Sequence, residues 1–268
     1  MKKQQFDAAL HRELTETLRS GGIEDAELEA KWILEDIPDA ERAREIARRR
    51  TQHEPLQYLL GTWEFYGLPL LVGEGVLIPR ADTETLVDAV LQRTAHIQSP
   101  QIVDLCTGTG CIALALKSQR PDADVTGIDI SRKALSYAEP NALRLHLDVR
   151  FRCGDVTDPA VCGQFRGLDV ITCNPPYLTA EDMAHLQPEV THEPSLALAG
   201  GADGLDFYRV LTRLWRDSLR AGGLLAYEIG CTQAKAVAAI LSENGFTGIG
   251  TVRDLNGMDR VVLGYQAE

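Results

Sequence analysis

The sequence predicts a mixed α/β protein in which a mostly parallel sheet follows a small helical domain. Two observations support this prediction. From Asp82 onward, segments with helical and strand patterns alternate, as they do where helices cover a parallel sheet. Before Asp82, apolar residues recur every three or four positions. The 268 residues accommodate two unequal domains, and a composition of 44% hydrophobic and 25% charged residues is typical of a globular protein.

Residues 1–60 are predicted to form the helical domain. Apolar residues at helical spacing begin at Phe6, and Gly21-Gly22 and Pro38 separate three short helices. We interpret a basic cluster in the third helix as a solvated helix face, and an RNA-binding patch is the alternative. The cluster consists of Arg42, Arg44, Arg48, Arg49 and Arg50.

The segment 61–81 is predicted to be a β-hairpin linker, because residues 62–66 and 68–72 are β-prone and flank Gly67. Residues 82–268 are predicted to form the sheet domain. Its expected strands fall near 102–105, 125–129, 149–153, 169–173 and 224–229. A terminal hairpin of 247–252 and 260–265 would add an antiparallel strand.

Charge and composition exclude several classes of protein. With 27 Lys and Arg against 39 Asp and Glu, the net charge is −12, so we expect no direct nucleic-acid partner. No apolar run approaches the ~20 residues of a membrane span, so we expect no membrane contact, a cytoplasmic location and a monomer. The six cysteines lack CxxC or His pairing, and we expect reduced, buried thiols and no metal.

The first strand of the sheet domain runs into a glycine turn and then into a helical segment. Glycine lets the backbone approach a ligand closely, and a helix start offers free N–H groups to a nucleotide cofactor. A tight connection without a ligand is the alternative. The cofactor-binding residues predicted here are Cys106, Thr107, Gly108, Thr109 and Gly110.

The next two strands also end in residues suited to a cofactor. Asp129 lies ~20 residues beyond the turn, where an acid accepts both ribose hydroxyls; an N-cap at Asp129 or Ser131 is the alternative. Asp155 and Val156 follow the third strand and suit adenine recognition. These features do not exclude NAD, since Ala113 is tolerated in the last place of its glycine fingerprint.

The fourth strand ends in Asn174, Pro175, Pro176 and Tyr177. The prolines fix φ and remove two N–H donors, so the carbonyl groups point in preset directions. Asn174 donates and accepts, and Tyr177 has an aromatic face. We predict that all four residues bind the acceptor and that Asn174, Pro175 and Tyr177 are catalytic. An ordinary proline-rich turn is the alternative.

A planar NH2 group fits this loop. If the Asn174 side-chain oxygen and the Pro175 carbonyl each accept one N–H, the nitrogen lone pair is aimed at the methyl carbon of S-adenosylmethionine. The nitrogen becomes acidic only as it gains positive charge, so no histidine base is assigned. His185 and His192 are interpreted as surface or supporting residues. The sequence thus predicts an S-adenosylmethionine-dependent methyltransferase acting on nitrogen.

With these motifs, the sequence resembles the protein-(glutamine-N5) methyltransferases of the PrmC/HemK family, which modify class 1 peptide chain release factors. The Asn174 loop is shared with amino methyltransferases of nucleic acids, whereas Glu54-Pro55 and Pro79-Arg80 are more specific. The matching segments cover nearly the whole chain: 54–58, 77–80, 82–84, the cofactor strands, 174–177, 193–194, 197–198, 204–205, 227–230 and 259–262.

The resemblance implies a Rossmann-like class I S-adenosylmethionine-dependent methyltransferase domain whose acceptor is the glutamine of a Gly-Gly-Gln motif. It also implies that Asn174 contacts the cofactor and that the helical domain and hairpin dock the release factor. The alternative acceptors are a ribosomal-protein glutamine or a nucleic-acid base. Arg80 is expected either to steady the methionine carboxylate or linker, or to form a surface ion pair.

Three residues depart from the family pattern. Cys106 stands where Gly is usual and Ala81 where Pro is usual. Pro140 lies in a segment expected to be helical, which it should kink or shorten.

Overall fold

The computed structural model describes residues 7–267. Residues 1–6, which begin the predicted helical domain, lie outside this part, as does Glu268. The α-helices are α1 (Ala8–Ser20), α2 (Ala26–Asp36), α3 (Ala40–Arg50), α4 (Leu56–Leu60), α5 (Glu84–Thr94), α6 (Cys111–Gln119), α7 (Arg132–Leu145), α8 (Pro159–Cys162), α9 (Ala180–Ala184), α10 (Asp206–Trp215) and α11 (Ala234–Glu243). The strands are β1 (Thr62–Phe65), β2 (Leu68–Leu71), β3 (Gln101–Leu105), β4 (Asp124–Asp129), β5 (Val149–Cys153), β6 (Leu168–Cys173), β7 (Leu219–Glu228), β8 (Phe246–Arg253) and β9 (Asp259–Gln266).

The amino-terminal helices pack around an apolar core of their own. Leu14, Leu18 and Ile33 are buried in this core, as the helical spacing requires. The side chain of Asp7 accepts hydrogen bonds at the start of α1, and that of Asp39 at the start of α3, so both helices begin at a capping residue. The three predicted helices are present, and the short α4 follows them.

Four of the five arginines in the basic cluster of α3 are paired with carboxylates, namely Arg42, Arg44, Arg49 and Arg50. Arg44 remains partly exposed and pairs with Glu13 at 2.7 Å. Arg50 is only 7% exposed and donates to Glu29 at 2.8 Å and to Glu189 at 2.9 Å. The interpretation of a solvated face is therefore wrong for Arg50, which joins the helical domain to a loop of the sheet domain.

The predicted hairpin forms from β1 and β2, which pair antiparallel. Asn141 of α7 is fully buried and accepts the Leu71 N–H at 2.6 Å. Its amide nitrogen donates to the carbonyl groups of Leu71 and Thr109, each at 3.1 Å. One satisfied amide thus fastens the hairpin to α7 and to the turn that follows β3.

The main sheet has the strand order β5-β4-β3-β6-β7-β9-β8. Strands β5, β4, β3, β6 and β7 are parallel, while β9 runs antiparallel to β7 and β8. The predicted fold class and the terminal hairpin are confirmed. The chain order reverses between β3 and β6, where Leu105 pairs with Cys173. A doubly wound sheet binds its ligand at such a point.

Apolar residues cover both faces of the sheet. Tyr208, Trp215 and Tyr227 are fully buried on one face, and Leu86 and Leu114 are fully buried on the other. Helices on both faces explain why the strands β3, β4, β6 and β7 are mostly buried, whereas the edge strand β5 is more exposed. The site residues at the strand ends therefore stand on a rigid base.

The cysteines differ from expectation. All six are free, but only Cys162 and Cys173 are buried, while Cys153 and Cys231 are exposed. Within residues 7–267, no group of three or more His, Cys, Asp or Glu side chains is arranged to hold a metal ion. No helix in the same range has the length and apolar character needed to cross a bilayer.

Candidate active site

The turn between β3 and α6 contains three residues in a left-handed backbone conformation. Cys106, Gly108 and Gly110 have φ angles of 56°, 57° and 81°. A Cβ on Gly110 would lie 2.7 Å from the Phe151 ring, so packing requires glycine there. A Cβ on Gly108 would meet only Val76, at 3.9 Å. The backbone at Gly108 is therefore open to a ligand in the adjoining cavity.

Asp104, one residue before the end of β3, stabilises the glycine turn through side-chain hydrogen bonds. It is fully buried and accepts the hydroxyl hydrogen bonds of Thr107 at 2.6 Å and Thr172 at 2.7 Å. Burial raises the pKa of Asp104 to about 7, although both hydroxyl bonds act in the opposite direction. This carboxyl ties the glycine turn to β6, the strand that leads to Asn174.

Asp129, at the end of β4, is fixed by two backbone donors. Its Oδ2 accepts the Gly108 N–H and its Oδ1 accepts the Ser131 N–H, both at 2.8 Å. Ser131 caps α7 by accepting the Ala134 N–H. Burial raises the pKa of Asp129, and the two N–H bonds lower it. Since each carboxylate oxygen has two lone pairs, both oxygens can accept a further bond.

Asp155 and Val156 follow β5 and are also held by their neighbours. Asp155 Oδ1 accepts the N–H and the hydroxyl of Thr157 at 2.8 and 2.6 Å. The Val156 carbonyl accepts the indole N–H of Trp215 at 2.8 Å. Asp155 and Val156 contribute to the same cavity wall as Asp129 and the glycine turn.

The Asn174 loop leaves the sheet beside the glycine turn. The amide nitrogen of Asn174 lies 3.4 Å from the hydroxyl of Thr83. The Tyr177 carbonyl accepts the side-chain N–H of Gln233 at 3.0 Å, which anchors the far end of the loop. Burial holds the pKa of Tyr177 well above its usual value, so its phenol stays neutral.

Two cavities of about 290 and 170 Å³ meet at Asn174. The larger is lined by Cys106, Thr107, Gly108, Thr109, Asp129, Asp155, Val156, Asn174 and Pro176 among others. The smaller is lined by Leu77, Arg80, Asn174, Tyr177, Leu178, Val190, Ala197, Leu198 and Glu228. Gly110 and Pro175 are buried next to these walls but outside the lining. His185 and His192 are exposed and outside both linings.

Glu193 supports Arg80, a residue that lines both cavities. It is 6% exposed, accepts the Ile78 N–H at 2.9 Å and forms an ion pair with Arg80. Arg80 in turn lines both cavities. The Glu193 carboxylate thus holds the 75–80 segment of the linker against the site, and Arg80 is not an isolated surface ion pair.

Comparison with known proteins identifies the family. Residues 81–195 match the methyltransferase small domain. A release factor glutamine methyltransferase from Geobacter sulfurreducens is 40% identical over 92% of this chain and 92% of its own length. One from Thermodesulfovibrio yellowstonii is 44% identical over 84% of this chain and 81% of its own. This chain belongs to the release factor glutamine methyltransferase family.

A methyltransferase structure from Pyrococcus furiosus shares the fold of this family member. It is 16% identical, covers 76% of this chain and 91% of its own, and superposes with a TM-score of 0.56. At this level of identity the likeness concerns the fold alone.

The departures from the family pattern have limited structural effects. Cys106 adopts the left-handed φ that favours the usual glycine, and its side chain packs partly buried against the core. Ala81 is exposed and begins a 3-10 turn ahead of α5. Helix α7 continues through Pro140 to Leu145, so the expected shortening does not occur.

Four buried polar residues belong to the site although the sequence motifs did not predict them. Thr83, Asp104, Glu193 and Glu228 are each at most 6% exposed to solvent. Each of them either lines a cavity or forms a hydrogen bond with a residue that does. An acidic residue inside an apolar strand was the available signal for Asp104 and Glu228. For Thr83 and Glu193 the available signal was their place in the matching segments 82–84 and 193–194, because their hydrogen-bond partners are remote in sequence.

Proposed function

We propose that this chain methylates the side-chain nitrogen of a glutamine in class 1 peptide chain release factors, within their Gly-Gly-Gln motif. The observation that supports this proposal is the position of Asn174 at the junction of two cavities. One cavity carries the cofactor-type residues, and the other ends in the Asn174 loop. Membership of the release factor glutamine methyltransferase family names the acceptor.

The larger cavity suits S-adenosylmethionine, whose sulfonium supplies an electrophilic methyl group. The Thr109 hydroxyl is buried in this wall without a partner among residues 7–267, and the Gly108 backbone is open to the cavity. We assign the turn of Cys106, Thr107, Gly108, Thr109 and Gly110 to the methionine part of the cofactor. Asp129 would accept the ribose hydroxyls, while Asp155 and Val156 would border the adenine.

In the smaller cavity, the Asn174 loop would hold the glutamine amide. We assign one amide N–H to the Asn174 side-chain oxygen, which lines the cavity, and the other to the carbonyl of Pro175, which is buried beside the lining. Together they would aim the nitrogen lone pair at the cofactor side. Pro176 keeps the loop rigid, and the neutral Tyr177 ring flanks the amide. Orientation and polarisation would supply the rate enhancement. The nitrogen gains the methyl group and releases a proton to water as it becomes positively charged, and S-adenosylhomocysteine is the leaving group, so the residues of the loop need no histidine base.

The acceptor protein would approach from the linker side. We assign residues 1–60 and the 61–81 hairpin to docking of the release factor, and residues 82–268 to methyl transfer. Arg50 and His53 bind Glu189 in the loop that leads to Glu193, which supports a connection between docking and the site. We further propose that the protein works as a monomer in the cytoplasm, without direct nucleic-acid contact.

The decisive experiment offers three acceptors in parallel. The chain is incubated with isotopically labelled S-adenosylmethionine and a class 1 release factor, a ribosomal protein mixture, or duplex DNA, and mass spectrometry locates the label. We expect label on the Gly-Gly-Gln glutamine alone, and none on a release factor in which alanine replaces that glutamine.

Label on a ribosomal protein or on DNA, with none on the release factor, would show that the proposed acceptor is wrong. The DNA outcome is disfavoured by the net charge of −12. Light scattering of the purified chain tests the proposed monomer independently.

A further inference from the structure

Glu228 is a buried carboxyl in the smaller cavity. It is the last residue of β7, is 1% exposed, and lines the cavity beside Asn174 and Tyr177. Its Oε2 atom is buried without a hydrogen-bond partner within the described range 7–267. Leaving a carboxylate oxygen unpaired inside a protein costs free energy. A cost of this kind at a site suggests a functional reason.

Glu228 belongs to a short chain of polar groups that ends at Asn174. Thr83 is 2% exposed, and its hydroxyl lies 3.4 Å from the Asn174 amide nitrogen. Interactions with the Thr83 and Asn174 side chains favour the charged form of the Glu228 carboxyl, although burial disfavours it more strongly. The side chains of Thr83, Asn174 and Glu228 therefore interact with one another beside the smaller cavity.

The chemistry of these three polar side chains determines which group donates each hydrogen bond. A carboxylate only accepts hydrogen bonds, whereas a hydroxyl donates one and accepts others. If the Thr83 hydroxyl directs its proton toward Glu228, a lone pair of its oxygen remains for the Asn174 amide nitrogen, which lies 3.4 Å away. If Asn174 rotated by half a turn, its oxygen would face the Glu228 carboxylate and the Thr83 lone pair, which are both acceptors.

We infer that Glu228 is a positioning residue, which fixes the rotation of the Asn174 carboxamide so that its oxygen is presented to the acceptor N–H. This inference rests on the proposed function, because it specifies how the Asn174 loop recognises a planar NH2 group. The two rotations of a carboxamide have nearly the same shape, so only hydrogen-bond partners distinguish them. Glu228 supplies the charge that makes the distinction.

The charge of Glu228 depends on pH. Burial raises its pKa to about 7, so the carboxylate forms as the pH rises through neutrality. Positioning then improves, and turnover of the wild-type enzyme should rise with pH over this range. The titratable or charged side chains whose charge interacts with Glu228 are Asp82, Cys111, Tyr177, Tyr208 and Arg260.

The test is the isosteric variant Glu228→Gln, because a glutamine amide can donate to Thr83 and so permits either rotation of Asn174. We expect its kcat on a release factor to fall by about 10- to 100-fold. The dissociation constant for S-adenosylhomocysteine, measured by calorimetry, should stay within about twofold. The rise of kcat with pH through neutrality should also disappear. Glu243→Gln, at an exposed position of α11, serves as the matched control with unchanged kinetics.

A second pair of variants separates positioning from packing. Thr83→Val should lose a similar factor in kcat and Thr83→Ser should recover most of it, since serine keeps the hydroxyl. Because both residues act through Asn174, the Glu228→Gln, Thr83→Val double variant should lose no more than the worse single variant. A merely structural role would instead give additive losses and a lower melting temperature in each variant.

Three results would overturn the inference: a Glu228→Gln enzyme with more than about half of the wild-type kcat, a loss confined to cofactor affinity, or additive losses in the double variant. Failure of the proposed function is seen separately, since it would appear as a wild-type enzyme that leaves the release factor unlabelled.

Discussion

The backbone N–H of Gly108 lies 2.8 Å from the Oδ2 atom of Asp129. The acid proposed to bind the ribose therefore also holds the glycine turn in its open conformation. The Asp129 carboxylate connects the end of β4 with the glycine turn in the wall of the larger cavity. Its loss should therefore lower cofactor affinity more than turnover.

Asp129→Ala is expected to weaken S-adenosylhomocysteine binding by at least about tenfold, because hydrogen bonds to a charged group contribute about 1.5–3 kcal/mol. Asn174→Ala should lower kcat by about 100-fold or more while changing cofactor affinity little. Calorimetry and steady-state kinetics measure the two effects. Asp124→Ala, at the exposed start of β4, is the control. Equal loss of cofactor affinity in both variants would refute this division of roles.

Cys106→Gly is expected to stabilise the protein by about 0.5–1 kcal/mol. The φ of 56° at Cys106 strains a side chain that glycine lacks, and this relief outweighs the greater freedom of glycine in the unfolded chain. Urea denaturation measures the change. Cys231→Gly is the control, since Cys231 is exposed and lacks a positive φ, and there we expect destabilisation. If both variants are destabilised equally, the backbone strain is not significant.

Glu193→Ala should lower the free energy of unfolding by about 1–3 kcal/mol, because it leaves the buried Ile78 N–H without an acceptor. It also releases Arg80, so the 75–80 segment should hold the cofactor less firmly and the dissociation constant should rise. Chemical denaturation and calorimetry report these two effects. The exposed Glu181→Ala serves for comparison; a similar result in both variants would show that the Glu193 contacts do not support the cavity.

The buried Asp104 should make stability depend on pH. Its pKa is raised to about 7 from an ordinary 3.8, so the folded state binds a proton that the unfolded state has released. The stabilisation is complete below the ordinary pKa and is lost as the pH rises through about 7, by an amount on the order of 4 kcal/mol.

Asp104→Asn should therefore lose less stability than the wild type between about pH 5 and pH 8. Denaturant titrations at the two pH values give the comparison. Glu228 contributes in the same direction, so part of the wild-type dependence should remain in this variant. An unchanged difference between the two pH values would show that Asp104 does not carry the proton.

Much of the fold followed from local patterns. Strands β3, β4 and β6 were predicted within one residue, because buried parallel strands are short apolar runs bounded by polar turns. The terminal hairpin followed from two β-prone runs with Asn256-Gly257 between them. Such patterns depend only on a few neighbouring residues, so they can be recognised in the sequence without knowledge of tertiary contacts.

The supporting residues of the site could not be found in the same way. Arg80 and Glu193 are 113 positions apart, and Thr83 and Asn174 are 91 apart. Only tertiary packing brings such residues together, and no periodicity encodes it. The burial of Arg50 was missed for the same reason, since its partner Glu189 lies 139 positions away.

The loop from Glu189 to Glu193 has a consequence for the order of events in catalysis. Its first residue binds Arg50 and His53 of the helical domain, and its last binds Ile78 and Arg80 of the linker. A protein that immobilised this loop on docking would also steady one wall of the cofactor cavity. Thermodynamic reciprocity then requires bound cofactor to tighten docking by the same factor, so each ligand would recruit the other.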